Sequence, residues 1–255
     1  MKYIDKYIDE TQGTQLIDKL LEDSWNEAEN RYVGVDYDGL SKPDCRKLML
    51  SEQQNLCCYC LGRIHSDNTT LEHIIPHKIE KEKFNEYLVV AVLTDNVIHK
   101  QDFDRNVKEI PPLKYPHDIA YHNLIASCDS KTHCNHFRGD KPIYPLIYDS
   151  EIEQKVEYDK QGIAYSEGYE SELESLGIST NPELKMYRQI WFWLAKAFEN
   201  AEEITVEDIE LTVLSLEEGN GKYSKTLSNF YGNPSKKEDL LEYKWFFEYY
   251  KQKNK

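Results

Sequence analysis

The chain has 255 residues, of which 40% are hydrophobic and 30% charged, and its formal net charge is −15. No apolar run approaches the roughly 20 residues of a membrane-spanning helix, and the first residues lack the apolar segment and cleavage site of a secretory signal, so we expect a cytoplasmic protein. The acidity excludes a free-standing protein that coats nucleic acid by charge alone.

Two helices are predicted before the first pair of cysteines. Apolar residues at helical spacing predict an amphipathic helix over residues 14–30. A capping serine and a proline, Ser41 and Pro43, predict the start of a second helix that runs toward Gln54. We therefore assign residues 1–55 to an N-terminal helical region.

Shorter elements are predicted in the centre of the chain. The β-branched residues over 69–75 stop at Pro76 and predict a short strand. Residues 119–127 are apolar enough for a strand or a turn, and residues 134–140 suit a short helix. The pattern is weaker in between, so we treat residues at about 78–117 as an insertion.

The last third of the chain has a different pattern. Alternating residues around a glycine turn predict a β-hairpin over 156–165. A helix is expected to start at Asn181, and two more are expected over 205–216 and 238–253. Residues 149–255 therefore form a β-hairpin followed by a C-terminal helical region.

Potential metal ligands are concentrated in one part of the chain. All eight histidines, and every cysteine except Cys45, lie between Cys57 and His136. The segment from Cys57 to Lys141 carries 11 basic and 12 acidic residues, so the excess acidity lies in the flanks. This distribution indicates a chemical module with helical additions.

Four cysteines in two pairs predict a structural zinc site. Cys57 and Cys60 form a Cys-x2-Cys pair, and Cys128 and Cys134 supply two more sulfurs. Four soft sulfur ligands are what a tetrahedral structural zinc ion requires. The gap between Cys128 and Cys134 is wide, so His133 is an alternative ligand at that corner. Buried free thiols are the other interpretation.

A carboxylate beside an imidazole is the sharpest motif in the sequence. Glu72 and His73 stand side by side just before a proline. One of these groups can deprotonate water while the other helps to hold a hard divalent cation. Carboxamides flank the second cysteine pair, because Asn123 precedes it and Asn135 follows it. The pattern points to hydrolysis assisted by a metal ion.

Taken together, these motifs resemble the HNH endonucleases, which have a ββα-metal core braced by a zinc knuckle. The resemblance implies an α+β protein whose nuclease module covers residues 56–148. It also implies that His73 is the general base and that Glu72 occupies the metal-binding position. Asn123 would then fix the loop and orient the base, with Asn96 as the fallback because the span from His73 to Asn123 is long. The matching motifs are Cys57-x-x-Cys60, Glu72-His73-x-x-Pro76, Asn123-Leu124, Cys128, Cys134-Asn135 and Arg138-Gly139-Asp140.

The same resemblance suggests roles for residues on the predicted helix. Asn135 would complete a catalytic site for Mg²⁺ or Mn²⁺, with His136 as an adjacent candidate ligand. Arg138 stands where many members carry lysine and would contact phosphate. His77 could line the site, although a loop histidine that faces solvent is an equal alternative. His117 matches no motif, and we expect it on the surface or in the insertion.

Over about residues 48–148 the chain is also similar to a narrower group, the PtuB family of HNH proteins from Septu antiphage systems, and to its retron-associated relatives. That resemblance implies the effector subunit of a bacterial defence complex that acts with an ATPase resembling PtuA. A retron reverse transcriptase with its RNA and DNA is a further implied partner. The expected substrate is DNA. The alternatives are an enzyme that cleaves RNA, such as tRNA, and a zinc-stabilised binding module without catalysis.

Overall fold

The computed structural model describes residues 1–7, 10–88, 93, 98–99, 115–139, 141, 143–201, 204–219 and 234–253. Within these ranges, helices alternate with small two-stranded sheets, as expected for an α+β protein. Most of the insertion predicted at about 78–117 lies outside the described residues, and so does the fallback residue Asn96. No helix in the described ranges has both the length and the apolar character needed to cross a bilayer.

The N-terminal region contains a hairpin that the sequence pattern did not predict. The expected helix over 14–30 is wrong over residues 25–30, because helix α1 ends at Ser24 and a short hairpin follows. The side chain of Asn26 accepts hydrogen bonds from the backbone N–H groups of Ala28 and Glu29, which favours a turn over a further helical turn. The elements here are α1 (Glu10–Ser24), β1 (Trp25–Asn26), β2 (Arg31–Tyr32) and α2 (Lys42–Glu52).

The centre of the chain supplies one antiparallel strand pair and a short helix after it. The predicted strand and the predicted helix are both present, and a 3-10 turn at Tyr121–Asn123 leads into the second strand. The elements are β3 (Thr69–His73), α3 (Lys81–Tyr87), β4 (Ile98–His99), β5 (Tyr115–Pro116), β6 (Leu124–Cys128) and α4 (Cys134–Arg138).

The register of the central strand pair places Cys128 at one end of the pair and His73 at the other. Strand β3 pairs with β6 so that Thr69 lies opposite Cys128 and His73 lies opposite Leu124. Helix α2 packs against both strands, and α4 packs against β6. The pair is therefore covered by helices, and each of its ends carries a candidate site.

The C-terminal region contains the predicted hairpin and more helices than expected. The helix predicted over 238–253 is two helices, separated by a turn that puts Tyr243 against Gly62, where an added Cβ would lie only 2.9 Å from the tyrosine ring. The elements are α5 (Ile152–Lys155), β7 (Val156–Tyr158), β8 (Ala164–Ser166), α6 (Glu170–Ser175), α7 (Pro182–Ala197), α8 (Val206–Gly219), α9 (Pro234–Leu241) and α10 (Trp245–Lys253).

Aromatic side chains join the last helix to the core. Phe246, Phe247 and Tyr250 of α10 are buried, and α10 packs along α7. The Trp191 ring of α7 lies 6.1 Å from that of Phe247. These three aromatic side chains therefore serve core packing.

A candidate metal centre and a candidate active site on one sheet

Four cysteine sulfurs meet at the Cys128 end of the central strand pair. The sulfur atoms of Cys57, Cys60, Cys128 and Cys134 all lie within 4.8 Å of one another. The Cys57–Cys134 distance is 3.7 Å and the Cys60–Cys128 distance is 3.8 Å. A tetrahedron with metal–sulfur bonds of about 2.3 Å has edges of about 3.8 Å. The cluster can therefore hold a metal such as zinc.

Backbone geometry brings the two cysteine pairs together. The N–H of Leu61, which has a left-handed φ of 64°, donates to the Cys57 carbonyl and closes a tight turn around the first pair. Cys134 also has a left-handed conformation, with φ of 61°. Side chains other than glycine adopt this conformation at an energetic cost. The surrounding contacts must therefore hold Cys134 in place, and its N–H donates to the Leu176 carbonyl at 2.8 Å.

His133 lies beside the sulfur cluster. Its Nδ1 atom lies 3.2 Å from the Cys134 sulfur and 3.8 Å from the Cys128 sulfur, and its side chain is buried. Because the four sulfurs already complete a tetrahedral set, His133 is placed to donate a hydrogen bond to a thiolate. Such partners outside the ligand set orient the ligands and reduce the charge of the site.

An acidic cleft opens next to the cysteine cluster. It has a volume of about 210 Å³, and Cys128, which is only partly buried, reaches its wall. Among the described residues that line the cleft, the positively charged side chain is that of Arg63. The carboxylates of the cleft come from Asp129, Glu183, Asp239 and Glu242. A cleft with this charge disfavours phosphate groups.

His73 lies at the opposite end of the strand pair. Its Nε2 atom lies 2.8 Å from the Asp118 carbonyl oxygen, which can only accept, so Nε2 carries the hydrogen and Nδ1 keeps its lone pair. The Tyr37 ring packs edge-on against the imidazole with a centroid distance of 4.7 Å. Burial lowers the pKa of His73 to about 4, so the ring is neutral near pH 7. The arrangement suits a base that accepts a proton at Nδ1.

Asn123 fixes the loops around His73 through its side-chain amide. Its Oδ1 accepts from the Ile75 N–H at 2.7 Å, and its Nδ2 donates to the His117 carbonyl at 2.6 Å and to the Ile75 carbonyl at 3.1 Å. Asn123 is fully buried. One amide therefore links the residues after β3 to the turn that carries the Asp118 carbonyl.

Glu72 and Arg138 form a buried ion pair behind His73. Arg138 Nη2 donates to Glu72 Oε1 at 2.9 Å and to the His73 carbonyl at 3.2 Å. The Tyr59 hydroxyl donates to the same Glu72 oxygen at 3.0 Å. Burial raises the pKa of Glu72 to about 7, although the Arg138 charge and the Tyr59 hydrogen bond act in the opposite direction. Arg138 therefore ties α4 to the end of β3, with its guanidinium enclosed.

Glu72 does not fit the predicted role of a ligand for a catalytic ion in this conformation. One of its oxygens is occupied by two donors, and Oε2 is buried without a hydrogen-bond partner among the described residues. Asn135 is half-buried and His136 is exposed on α4. We searched the described part of the chain for groups of at least three His, Cys, Asp or Glu donors that could hold a metal. The group found consists of the four cysteines.

The remaining histidines near the site have structural contacts. The His77 ring lies 6.1 Å from that of His73, and its Nδ1 is buried without a partner in the described ranges. His117, expected on the surface or in the insertion, is fully buried, and its Nε2 contacts the His77 carbonyl at 3.2 Å. His117 therefore helps to hold the turn above His73.

Sequence reasoning missed three contributors to this site. Asp118 acts through its backbone carbonyl, which no side-chain motif reveals. Tyr37 and Tyr59 come from segments outside the Glu-His motif, and only the folded chain brings them to His73 and Glu72. The sequence shows that Tyr59 lies inside the first cysteine pair, but it does not show which way the tyrosine side chain points.

Comparisons of the chain with protein-family models, with curated proteins and with solved structures gave no match. The functional interpretation therefore rests on the residues and on the geometry described above.

Proposed function

We propose that the chain is an HNH endonuclease that hydrolyses nucleic-acid phosphodiester bonds with His73 as the general base and Mg²⁺ or Mn²⁺ as the required ion. The observation that carries the proposal is the hydrogen bond from His73 Nε2 to the Asp118 carbonyl. This hydrogen bond leaves Nδ1 as the nitrogen that can accept a proton in a neutral, half-buried imidazole. A base that is unprotonated and held in one tautomer can take a proton from water in the reaction.

The ββα arrangement of β3, β6 and α4 supports the same proposal. In it, His73 at the end of β3 would remove a proton from the attacking water, whose oxygen would bond to phosphorus as the P–O bond to the leaving sugar oxygen breaks. The leaving oxygen would take up a proton from solvent. Asn123 would keep the turn at His117 and Asp118 in place, so that the imidazole is oriented before the substrate binds. Arg138, whose charge is enclosed, would act on the strand end instead of on phosphate.

A catalytic Mg²⁺ or Mn²⁺ ion would stabilise negative charge on the phosphate and on the leaving oxygen. Asn135 and His136 are the accessible candidates among its predicted ligands, whereas Glu72 is enclosed. The four-cysteine cluster would hold zinc and brace the fold at the other end of the strand pair.

A wider biological role follows from the motif resemblance alone. We propose that the chain is the effector of a bacterial antiphage complex with an ATPase resembling PtuA, and that a retron reverse transcriptase with its nucleic acids is a further component. Co-expression with a candidate ATPase should yield a complex that elutes earlier than the chain alone. Unchanged elution beside every such candidate would contradict this role.

The nuclease proposal can be tested by cleavage of supercoiled plasmid and of tRNA in Mg²⁺ or Mn²⁺. His73→Ala should lower the cleavage rate by about 10²–10⁴-fold. His73→Asn, which retains a side-chain donor but lacks a basic nitrogen, should be similarly inactive. Both variants should keep the zinc content and circular dichroism of the parent chain. Cleavage that persists in both would rule out His73 as the base.

A second candidate function is a zinc-stabilised binding module. The contrast between the complete four-cysteine cluster and the enclosed Glu72 carboxyl favours it. This alternative predicts zinc binding without cleavage of DNA or RNA under any divalent ion, and it predicts that His73→Ala leaves binding and folding unchanged.

A further inference from the structure

A polar groove follows one face of helix α2. It has a volume of about 500 Å³, and among the described residues none that lines it carries a carboxylate. Two of the lining side chains, Arg46 and Lys47, are cationic. The complete lining is Pro43, Arg46, Lys47, Leu50, Ser51, Asn55 and Ser66.

The helical repeat explains why these residues share a face. Pro43, Arg46 and Leu50 are separated by three and four positions, so their side chains lie in one row. The opposite face of α2 is buried through Cys45 and Met49. From residue 43 to residue 51 the helix is about 12 Å long, which matches about three nucleotides of a stacked strand at 3.4 Å each.

The charge of the groove differs from that of its surroundings. The chain as a whole has a net charge of −15, and the cleft beside Cys128 is lined by four carboxylates. The groove instead combines two cations with the hydroxyl and amide groups of Ser51, Ser66 and Asn55. These side-chain types hydrogen-bond to phosphate oxygens in protein–nucleic acid complexes.

One donor in the groove lacks a partner. The Nε atom of Arg46 is buried and has no hydrogen bond among the described residues. A buried donor without an acceptor is costly in a folded protein. An anionic oxygen in the groove would therefore offer an acceptor to a group that the described residues leave unpaired.

The start of helix α2 lies near the candidate active site. Lys42, which begins α2 next to Pro43, places its ammonium 4.4 Å from the centroid of the Tyr37 ring. The same ring contacts the His73 imidazole. The positive charge of Arg46 also acts on the Tyr37 hydroxyl. Lys42 itself is paired with the exposed Asp38 carboxylate at 2.8 Å, so Arg46 and Lys47 are the cations left for a ligand.

We propose that the α2 groove, formed by the seven lining residues, binds the phosphate backbone of a nucleic-acid strand whose scissile phosphate lies at His73. The inference rests on the proposed nuclease function and names the surface that its substrate contacts. DNA and RNA share the phosphate chemistry that the groove recognises.

The test measures binding separately from cleavage, in the His73→Ala background. Fluorescence anisotropy with single-stranded DNA, duplex DNA and RNA oligonucleotides is recorded over a series of salt concentrations. The change Arg46→Gln with Lys47→Gln should weaken binding and lower the slope of log affinity against log salt by about 1 for each lost contact. The oligonucleotide with the largest slope change identifies the sugar type and strandedness of the substrate.

A matched control removes two exposed lysines elsewhere, with Lys160→Gln and Lys244→Gln, and should leave the slope unchanged. Lys47→Glu alone serves as a second groove variant if the double variant loses its zinc or its fold. An unchanged slope in the groove variants, an equal loss in the control, or no binding of any oligonucleotide would overturn the proposal. Plasmid and tRNA cleavage by the parent chain is scored independently, so a chain that binds without cleaving contradicts the nuclease function and not the groove.

Discussion

The two ends of the central strand pair are built by different means. At the Cys128 end, four side chains meet within 4.8 Å and form a complete ligand set. At the His73 end, the imidazole is held by a backbone carbonyl, and a buried amide holds the neighbouring loops. A single five-residue register connects the two ends.

Because the two ends are built differently, we expect one to contribute mainly to stability and the other mainly to activity. A structural metal contributes directly to the free energy of folding, so we expect the Cys128 end to stabilise the strand pair. The His73 end should contribute less to stability, and it fixes the orientation of the imidazole that we propose as the base. Substitutions at the first end should therefore unfold the chain, whereas substitutions at the second should change activity first.

The largest effect is expected from Cys60→Ser. Structural zinc contributes about 10–16 kcal/mol in small zinc-dependent domains, which equals or exceeds the whole stability of a typical domain. The variant should lose its zinc, measured by mass spectrometry, and its cooperative thermal transition. Cys45→Ala is the control, because Cys45 is a buried thiol outside the cluster. Zinc retained at one ion per chain in Cys60→Ser would contradict the four-sulfur site.

An intermediate effect is expected at the Glu72–Arg138 pair. Arg138→Gln leaves a buried carboxylate without its cation, which costs about 3–5 kcal/mol. Urea unfolding of the parent chain, of this variant, of Glu72→Gln and of the double variant gives a double-mutant cycle. The double variant should be less destabilised than the sum of the single changes. Additive losses would show that the two side chains do not act as a pair.

The same pair predicts a pH dependence. The pKa of Glu72 is raised to about 7 in the folded chain, so the folded state retains a proton that the unfolded state releases above about pH 4.5. This group therefore lowers stability as pH rises from about 4.5 to 7. Without the Arg138 charge the pKa of Glu72 rises further. Unfolding midpoints should show that Arg138→Gln is less damaging at pH 5 than at pH 8.

The smallest effect on stability is expected from Asn123→Ala, at about 1–3 kcal/mol for the backbone groups it leaves unpaired. Because the Asp118 turn loosens, the cleavage rate should fall by more than this loss of stability explains at a temperature where the variant is folded. Asn26→Ala is a matched control, since Asn26 also bonds to backbone groups but lies in the β1–β2 turn. Equal activity in the two variants would show that Asn123 does not position His73.

The sequence supported some parts of this structure better than others. Strand β3 was predictable because β-branched residues that stop at a proline are a local signal, and α4 lies within the segment predicted to suit a short helix. The four-sulfur set followed from ligand chemistry. The role of Arg138 did not, because its partner Glu72 is distant along the chain and its burial depends on packing. The β1–β2 hairpin was missed because side-chain bonds of Asn26 interrupt a helical pattern.

The long separation between β3 and β6 has a consequence for how the chain matures. The strands pair across some fifty intervening residues, and closing such a loop slows folding because its entropy must be lost before any contact forms. A metal ion that joins Cys60 to Cys128 closes the same loop. We therefore expect metal uptake to speed the pairing of β3 with β6, because the bound ion would close the loop that the two strands also close.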